Sequence, residues 1–500
     1  MPSLFITGGN EPMHIAIESA KRPVNHALRA EPDWDPIGSA FARMKAAYRS
    51  DPLPSYEQRI AWLDRLLRMV KSYRKEIADT ISEDFGSRSF HESQLAEIYA
   101  LVSSIRYLKK NLRSWMAPEE RHVMLPMRPA RAKVHYQPRG VVGVIAPWNY
   151  PFQLAVGPIA AALAAGNRVM LKPSEYTPRT SLLLRRLIRD AFQPEEVTVV
   201  TGGPETGAAF GRLPFDHLLF TGSTHVGRQV MQAAAENLTP VTLELGGKSP
   251  AVVHESFPID RAAARIAAGK WFNAGQTCIA PDYVLVPHTR LDALVEQLRS
   301  SVSAAYPTLQ ENRDYTAIVN DRHYQRVREL IDDAVARGAR RVEINPAGEV
   351  LDPASRKLAP TLLLDVREGM RVMQEEIFGP VLPIVAYDAL EDAIEYVNER
   401  PRPLALYYFD FDKKRIKQVV EQTVSGGATI NDTLLHFTAD DLPFGGVGPS
   451  GLGAYHGFEG FQTFSHKKGV FYQARLNAAA TMGPPYGTRV EKVLDLLLRG

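Results

Sequence analysis

The run Gly140-Val141-Val142-Gly143-Val144-Ile145-Ala146, then Phe152–Ala165 with Gly166 behind it, then Val169-Met170-Leu171-Lys172, sets the fold class. The first piece is apolar throughout and rich in β-branched residues, as in a strand buried on both faces. The alanine-rich Phe152–Ala165 predicts a helix that Gly166 closes. Val169–Lys172 predicts the next strand. The alternation continues through helix Ser181–Phe192, strands Val197–Thr201 and Leu218–Thr221, and helix Gly227–Glu236. Repeated βα units with short joints predict a parallel, doubly wound α/β sheet. Ligands of such sheets sit beyond the C-terminal ends of the strands.

Upstream, Ser55 and Gln58 form a capping-box pattern. Ile60, Leu63, Leu67, Val70, Ile77 and Ile81 then predict one long helix, ended by Gly86. A second helix carries Leu95, Ile98, Val102, Ile105, Leu108 and Leu112 on one face. Pro118–Gly140, with four prolines and five Lys or Arg residues, reads either as a solvated loop or as an arm that pairs with another subunit. Residues up to about Asp35 show no periodicity and are expected to be poorly ordered. Downstream of Gly247 a second α/β pattern begins: helix Arg261–Ala274, strand Tyr283–Val286, helices Leu291–Ser303 and His323–Arg337, strand Thr361–Val366 and helix Glu391–Glu399. Leu404–Phe409 and Ala428–Asn431 read as edge strands ahead of the glycine-rich Pro443–Gly457.

Five hundred residues are too many for one core, so two or three domains are expected. At 45% hydrophobic and 23% charged, the composition is that of a globular enzyme. A net charge of +3 argues against nucleic-acid binding. The single cysteine excludes an intrachain disulfide and a Cys-based zinc site. No apolar run approaches the ~18–20 residues of a membrane-spanning helix. Met1–Phe5 does not open a secretory signal, so the expected location is cytoplasmic. The apolar tail Val490–Gly500 is short and broken by charge, which favours packing on a partner over lying on a membrane.

The single cysteine is Cys278, in Asn273-Ala274-Gly275-Gln276-Thr277-Cys278-Ile279-Ala280-Pro281. Glu244 stands before a Gly-Gly pair in Leu243-Glu244-Leu245-Gly246-Gly247. A thiol that attacks and a carboxylate that takes protons are what sulfur-based covalent catalysis needs. Singly, each has a plainer reading: a small buried hydrophobe, and the end of a strand. The dinucleotide pattern G-x-G-x-x-G is absent; Phe220-Thr221-Gly222-Ser223-Thr224-His225-Val226-Gly227 stands at a strand-to-helix joint instead. Gly222 permits the tight turn and Ser223 or Thr224 can cap the helix. Its N-terminus then either faces a pyrophosphate or is simply a capped end. Lys172 and Glu175, after strand Val169–Lys172, can serve ribose hydroxyls or form a surface pair. Asn149, in Trp148-Asn149-Tyr150-Pro151, can donate to an oxyanion or cap a helix. Glu375-Glu376-Ile377-Phe378-Gly379-Pro380 sets a carboxylate and a ring beside a rigid turn.

These five words, in this order and spacing, resemble the aldehyde dehydrogenase superfamily from about Ile60 to about Lys468. Leu238–Pro250, Ala280–Tyr283 and Leu442–Gly457 are similar to its class 3 and fatty-aldehyde branch. Asn431–His436 and Gly446–Gly451 look most like the bacterial coniferyl aldehyde dehydrogenases within that branch. The resemblance implies a Rossmann-like NAD(P)-binding domain over residues 36–245, an α/β catalytic domain over 246–442, and a return segment, oligomerisation strand and tail over 443–500. Residues 118–140 would join a small β oligomerisation arm, giving a homodimer.

It further implies Cys278 as nucleophile, Asn149 as oxyanion donor and Glu244 as the base that activates the hydrolytic water. Trp148, Lys172, Glu175, Gly222, Ser223, Gly227, Glu376 and Phe378 would bind the cofactor, and no metal is called for. Glu175 should repel a 2′-phosphate, which makes NAD the first choice, with NADP possible. The implied activity is oxidation of an aldehyde, aromatic such as coniferyl aldehyde or medium- to long-chain aliphatic, to the carboxylic acid. A CoA-acylating dehydrogenase and a non-catalytic cofactor-binding protein are the alternatives. Glu244 counts against the first, which has no use for a water-activating base, and the joint presence of Cys278, Asn149 and Glu244 counts against the second.

Overall fold

The computed structural model describes residues 37–475, 477 and 482–498, so the N-terminal stretch up to Asp35 lies outside the described residues. The strands in chain order open with Glu119–Arg121 (β1) and Arg131–Pro138 (β2). Val141–Ile145 (β3), Arg168–Lys172 (β4), Val197–Val199 (β5), His217–Thr221 (β6) and Val241–Glu244 (β7) follow. Pro250–Val253 (β8), Tyr283–Pro287 (β9), Arg340–Glu343 (β10), Thr361–Leu364 (β11) and Val381–Tyr387 (β12) come next. Ala405–Phe409 (β13), Gly427–Ile430 (β14), Gly451–Leu452 (β15) and Ser465–Tyr472 (β16) complete the set.

One sheet has the order β15-β7-β6-β3-β4-β5, parallel except for β15. Strands β3, β4 and β6 are buried along their whole length, which is why they read as continuous apolar runs. From β3 the chain winds outward through β4 and β5, then returns to add β6 and β7 on the other side. The order reverses between β3 and β6, and a crevice opens beyond the C-terminal ends of strands at such a point. The second sheet runs β10-β11-β12-β9-β8-β13-β14, parallel but for the β10–β11 pair. Strand Ala405–Phe409, expected at an edge, lies between β8 and β14 and is buried throughout; of the two strands expected at an edge, β14 alone lies there.

Pro118–Gly140 is an arm rather than a loop: β1, β2 and β16 form a small antiparallel sheet, with β2 and β16 in register from Ser465 opposite Pro138 to Tyr472 opposite Arg131. The long helix expected from Ser55 to Gly86 is two helices, Tyr56–Ser72 and Arg74–Phe85, broken at Tyr73 (φ −105°, ψ 13°). Ser55 does cap the first, accepting from the Gln58 N–H, and Gly86 does end the second at φ 80°. The next helix is not regular either: Gln94–Tyr99 is a π turn leading into Ala100–Trp115. The extra residue rotates Leu95, expected on the buried face, out to 58% exposure, while Ile98, Val102, Ile105, Leu108 and Leu112 stay buried. No helix among the described residues is long and apolar enough to cross a membrane.

Candidate active site

A cleft of about 290 Å³ opens at the reversal point. Trp148 and Asn149 follow β3, Gly222 and Ser223 follow β6, and Glu244 ends β7; all five line it, with Cys278, Glu376 and Phe378 from the other α/β half. Residues more than two hundred positions apart thus meet because two sheets present their loops to one space.

Cys278 lies in the segment between helix Ile259–Trp271 and β9, half-buried at the cleft. Nearly every residue around it is tied down. Asn273 and Ala274 hold φ near 51°, a conformation non-glycine residues rarely take, so the turn is strained. Gly275 (φ 75°) admits no side chain, since a Cβ there would sit 2.3 Å from the Gly379 carbonyl oxygen. Gln276 donates through Nε2 to the Asn273 and Ala317 carbonyls (both 3.0 Å) and accepts from the Val319 N–H (3.0 Å). Thr277 Oγ1 and the Tyr150 hydroxyl share a hydrogen bond of 2.6 Å. Such a frame holds a reacting atom without a rearrangement at the moment of reaction.

Asn149 is buried and its amide Nδ2 donates to the Gln276 carbonyl (3.2 Å), which sets the amide beside the cysteine turn. Glu244 is buried with neither carboxylate oxygen hydrogen-bonded. Burial alone holds its carboxyl well above the usual carboxylate range. For Cys278, burial first, then the Glu376 and Glu244 carboxylates, push the thiol up to about 12, against the weaker pull of the Cys278 and Ile279 N–H groups. The thiol is therefore held in its neutral form. Alkylation by iodoacetamide should accordingly rise about tenfold per pH unit between about pH 7 and 9, because only the thiolate reacts. Prior addition of NAD should raise the rate at fixed pH, since a cationic ring in the cleft attracts the thiolate. A rate flat in pH and indifferent to NAD would contradict both the shift and its cause.

The fit of a dinucleotide can be tested on this cleft. Helix Thr224–Ala235 points its N-terminus here, capped by Ser223 Oγ, and Gly222 carries no side chain because a Cβ would meet Phe220 at 2.5 Å. Glu376 has one buried carboxylate oxygen without a partner, and burial, then Asp282, raise its carboxyl to about 8. A Cβ on Gly246 would strike that carboxylate at 2.2 Å. The Phe378 ring stands edge-on to Trp148, with centroids 5.3 Å apart. Orphaned acceptor, helix N-terminus and stripped backbone together fit a ribose and a pyrophosphate.

Not every expected residue lines this space. Lys172 and Glu175 pair with each other (2.8 Å) at the end of the neighbouring strand β4. Gly227 faces Leu245, whose methyl would lie 2.7 Å from a Cβ, so it serves the packing of helix on strand. Conversely, His323 and Arg326 line the cleft unannounced. His323 packs on the Trp148 ring (4.9 Å), and Arg326 donates to the carbonyls of Glu376 (3.1 Å) and Ile377. One His and one of three Arg residues on an amphipathic helix carry no local signal; only their spatial neighbours reveal them.

Residues 26–470 match the profile of the aldehyde dehydrogenase family. The chain belongs to it. This aldehyde dehydrogenase is 52% identical over 471 residues to a probable coniferyl aldehyde dehydrogenase of Pseudomonas aeruginosa, covering 94% of this chain and 98% of that one. It is 49% identical over 464 residues to a coniferyl aldehyde dehydrogenase of a Pseudomonas species, covering 92% and 96%. Among solved structures it resembles the substrate-bound state of the Staphylococcus aureus enzyme AldH, with TM-score 0.87 and 39% identity over 93% of this chain and all of that one. The aldehyde dehydrogenase oxidises aldehydes with NAD(P).

Proposed function

We propose that the enzyme converts an aromatic aldehyde to its free carboxylic acid with Cys278 as nucleophile, Asn149 as oxyanion donor and Glu244 as base. The reading rests on the convergence of that thiol, that amide and that unpaired carboxylate on one cleft. The Cys278 thiol gives up its proton to solvent, its sulfur bonds to the aldehyde carbon, and the carbonyl π pair moves to oxygen, giving the oxyanion of a thiohemiacetal. Asn149 Nδ2 and the Cys278 N–H are the donors for that oxygen. NAD(P), when bound, would supply the oxidant that accepts the hydride leaving that carbon. The thioester left on Cys278 is then attacked by water whose proton Glu244 accepts, releasing acid and thiol. Gly222, Ser223 and the helix they open would hold the pyrophosphate, Glu376 and Phe378 with Trp148 the nicotinamide side, and Lys172 and Glu175 the adenosine ribose; Gly227 would let the helix pack close. The cofactor-binding and catalytic halves would divide near residue 245, with 118–140 and 443–500 as arm and return segment.

Asn149→Ala should lower the first-turnover rate by the loss of one oxyanion donor, ~2.7–4 kcal/mol in barrier. Stopped-flow NADH formation measures it, and an unchanged burst rate would remove Asn149 from the mechanism. The aromatic substrate class is supported by the names of the two Pseudomonas relatives, and residues 436–456 hold a nest of rings. Phe444 stacks on His436 and on His456 at an interplanar 23° each, and Tyr455 meets Phe444 edge-on. Burial, then the Glu244 and Cys278 charges, raise the Tyr455 hydroxyl. Coniferyl aldehyde, cinnamaldehyde and hexanal ranked by kcat/KM with each cofactor test this; preference for hexanal would move the substrate to the aliphatic class. Glu175 favours NAD over NADP by charge repulsion with a 2′-phosphate. The half-exposed Phe471 and Tyr472 on the arm support a homodimer, and a thiol that must stay reduced suits the cytoplasm. Gel filtration with light scattering tests the dimer.

A further inference from the structure

The π turn Gln94–Tyr99 interrupts an otherwise α-helical rod. Such turns are energetically poorer than the α form and persist where the aim of a side chain matters. Here the extra residue turns Leu95 and Tyr99 out to 58% and 66% exposure and turns Glu97 in, to 0%. The carboxylate that arrives inside has a defined set of partners. Glu97 Oε2 accepts from the N–H groups of Phe152 (3.1 Å) and Gln153 (2.7 Å), where helix Gln153–Ala164 begins. Glu97 Oε1 faces Arg88 Nη1 at 3.0 Å. That same Nη1 donates to the Asn149 carbonyl (2.9 Å), which also accepts from Asn273 Nδ2 (3.2 Å). The Arg88 guanidinium lies over the Phe85 and Tyr150 rings, 5.0 and 4.9 Å from their centroids, with Nε and Nη2 buried and unpaired.

A buried ion pair with unpaired nitrogens is a poor choice for stability alone, because well-packed apolar residues of similar volume do as well or better. What the pair does uniquely is grip the segment Trp148–Gln153 at two places: the Asn149 carbonyl and the two N–H groups behind it. Asn149 Nδ2, at the front of the same residue, faces Cys278's turn.

We infer that Glu97, brought inward by the π turn, is a positioning residue for the oxyanion, acting through Arg88 on Asn149. The inference rests on Asn149 being the oxyanion donor, and the test separates the two. Glu97→Gln keeps size and an acceptor but releases Arg88. It should slow the first-turnover NADH burst about 10- to 100-fold, the scale of a small misplacement at a reacting centre. Iodoacetamide alkylation of Cys278, which needs the thiolate but no oxyanion donor, should stay within about twofold of wild type. In the Asn149→Ala background, Glu97→Gln should add no further slowing, since both act through one group.

Equal loss of burst and alkylation would mean a merely structural role and overturn the inference, as would losses that multiply in the double variant, or an unaffected burst in Glu97→Gln. If Asn149→Ala alone leaves the burst intact, the oxyanion reading falls first and this inference with it. Should Glu97→Gln fail to fold, Arg88→Lys replaces it under the same criteria, because lysine keeps the charge and lacks the fork.

Discussion

Cys278→Ala should form no NADH from any aldehyde, a loss on the order of 10⁶ in turnover when a covalent nucleophile is removed. The substitution is mild for the fold. Cys278 is half-buried at a cleft wall and the turn around it is held by Gln276, Thr277 and Asn273, whose hydrogen bonds do not involve the sulfur. Cofactor binding should persist, because Gly222, Ser223 and Glu376 lie on other segments. The expected result is thus a folded protein that titrates NAD(P) with near-native affinity, followed by nucleotide fluorescence, and turns over nothing. Steady-state oxidation by this variant would assign the chemistry to another group, and lost cofactor affinity would make the cysteine structural.

How much of this was legible in the sequence depends on whether the signal was local. The β3–β4–β6 layer was, because strands covered on both faces must be continuous apolar runs, and β3, β4 and β6 are. Ser55 as a cap and Gly86 and Gly166 as stops were legible for the same reason: each answers a backbone need within one turn. The break at Tyr73 and the π turn at Gln94–Tyr99 were not. Apolar spacing runs on through both, and only packing decides where a helix gives up a residue. Leu95 was misplaced by that one inserted position, and Ala405–Phe409 was read as an edge although β14 covers it, since sheet order is not written along the chain. In the site, Cys278, Glu244 and Asn149 stood out through their chemistry and their neighbours in sequence. Arg88, Glu97, His323 and Arg326 did not, as each contacts residues from 50 to 175 positions away.

Glu244→Gln should separate the two halves of the reaction. The amide fills the same buried space at the end of β7 but cannot accept a proton from water. Acylation and hydride transfer do not need that proton, so stopped flow should record a burst of NADH of about one per active site. Steady-state turnover should then fall by about 10²–10⁴, the usual contribution of a general base. Wild-type behaviour with pH carries the matching sign. Burial raises the Glu244 carboxyl, so the base form is present only above that raised pKa and is lost as pH falls through it. Hydrolysis of the thioester should therefore fail on the acid side well before ordinary carboxylates protonate, and the glutamine variant should lack that limb. If burst and steady state fell together in Glu244→Gln, the carboxylate would belong to thiol activation or to packing rather than to hydrolysis. If neither fell, a water-activating base would have to be sought among the other groups facing Cys278, and the unpaired oxygens of Glu244 would be left without a use.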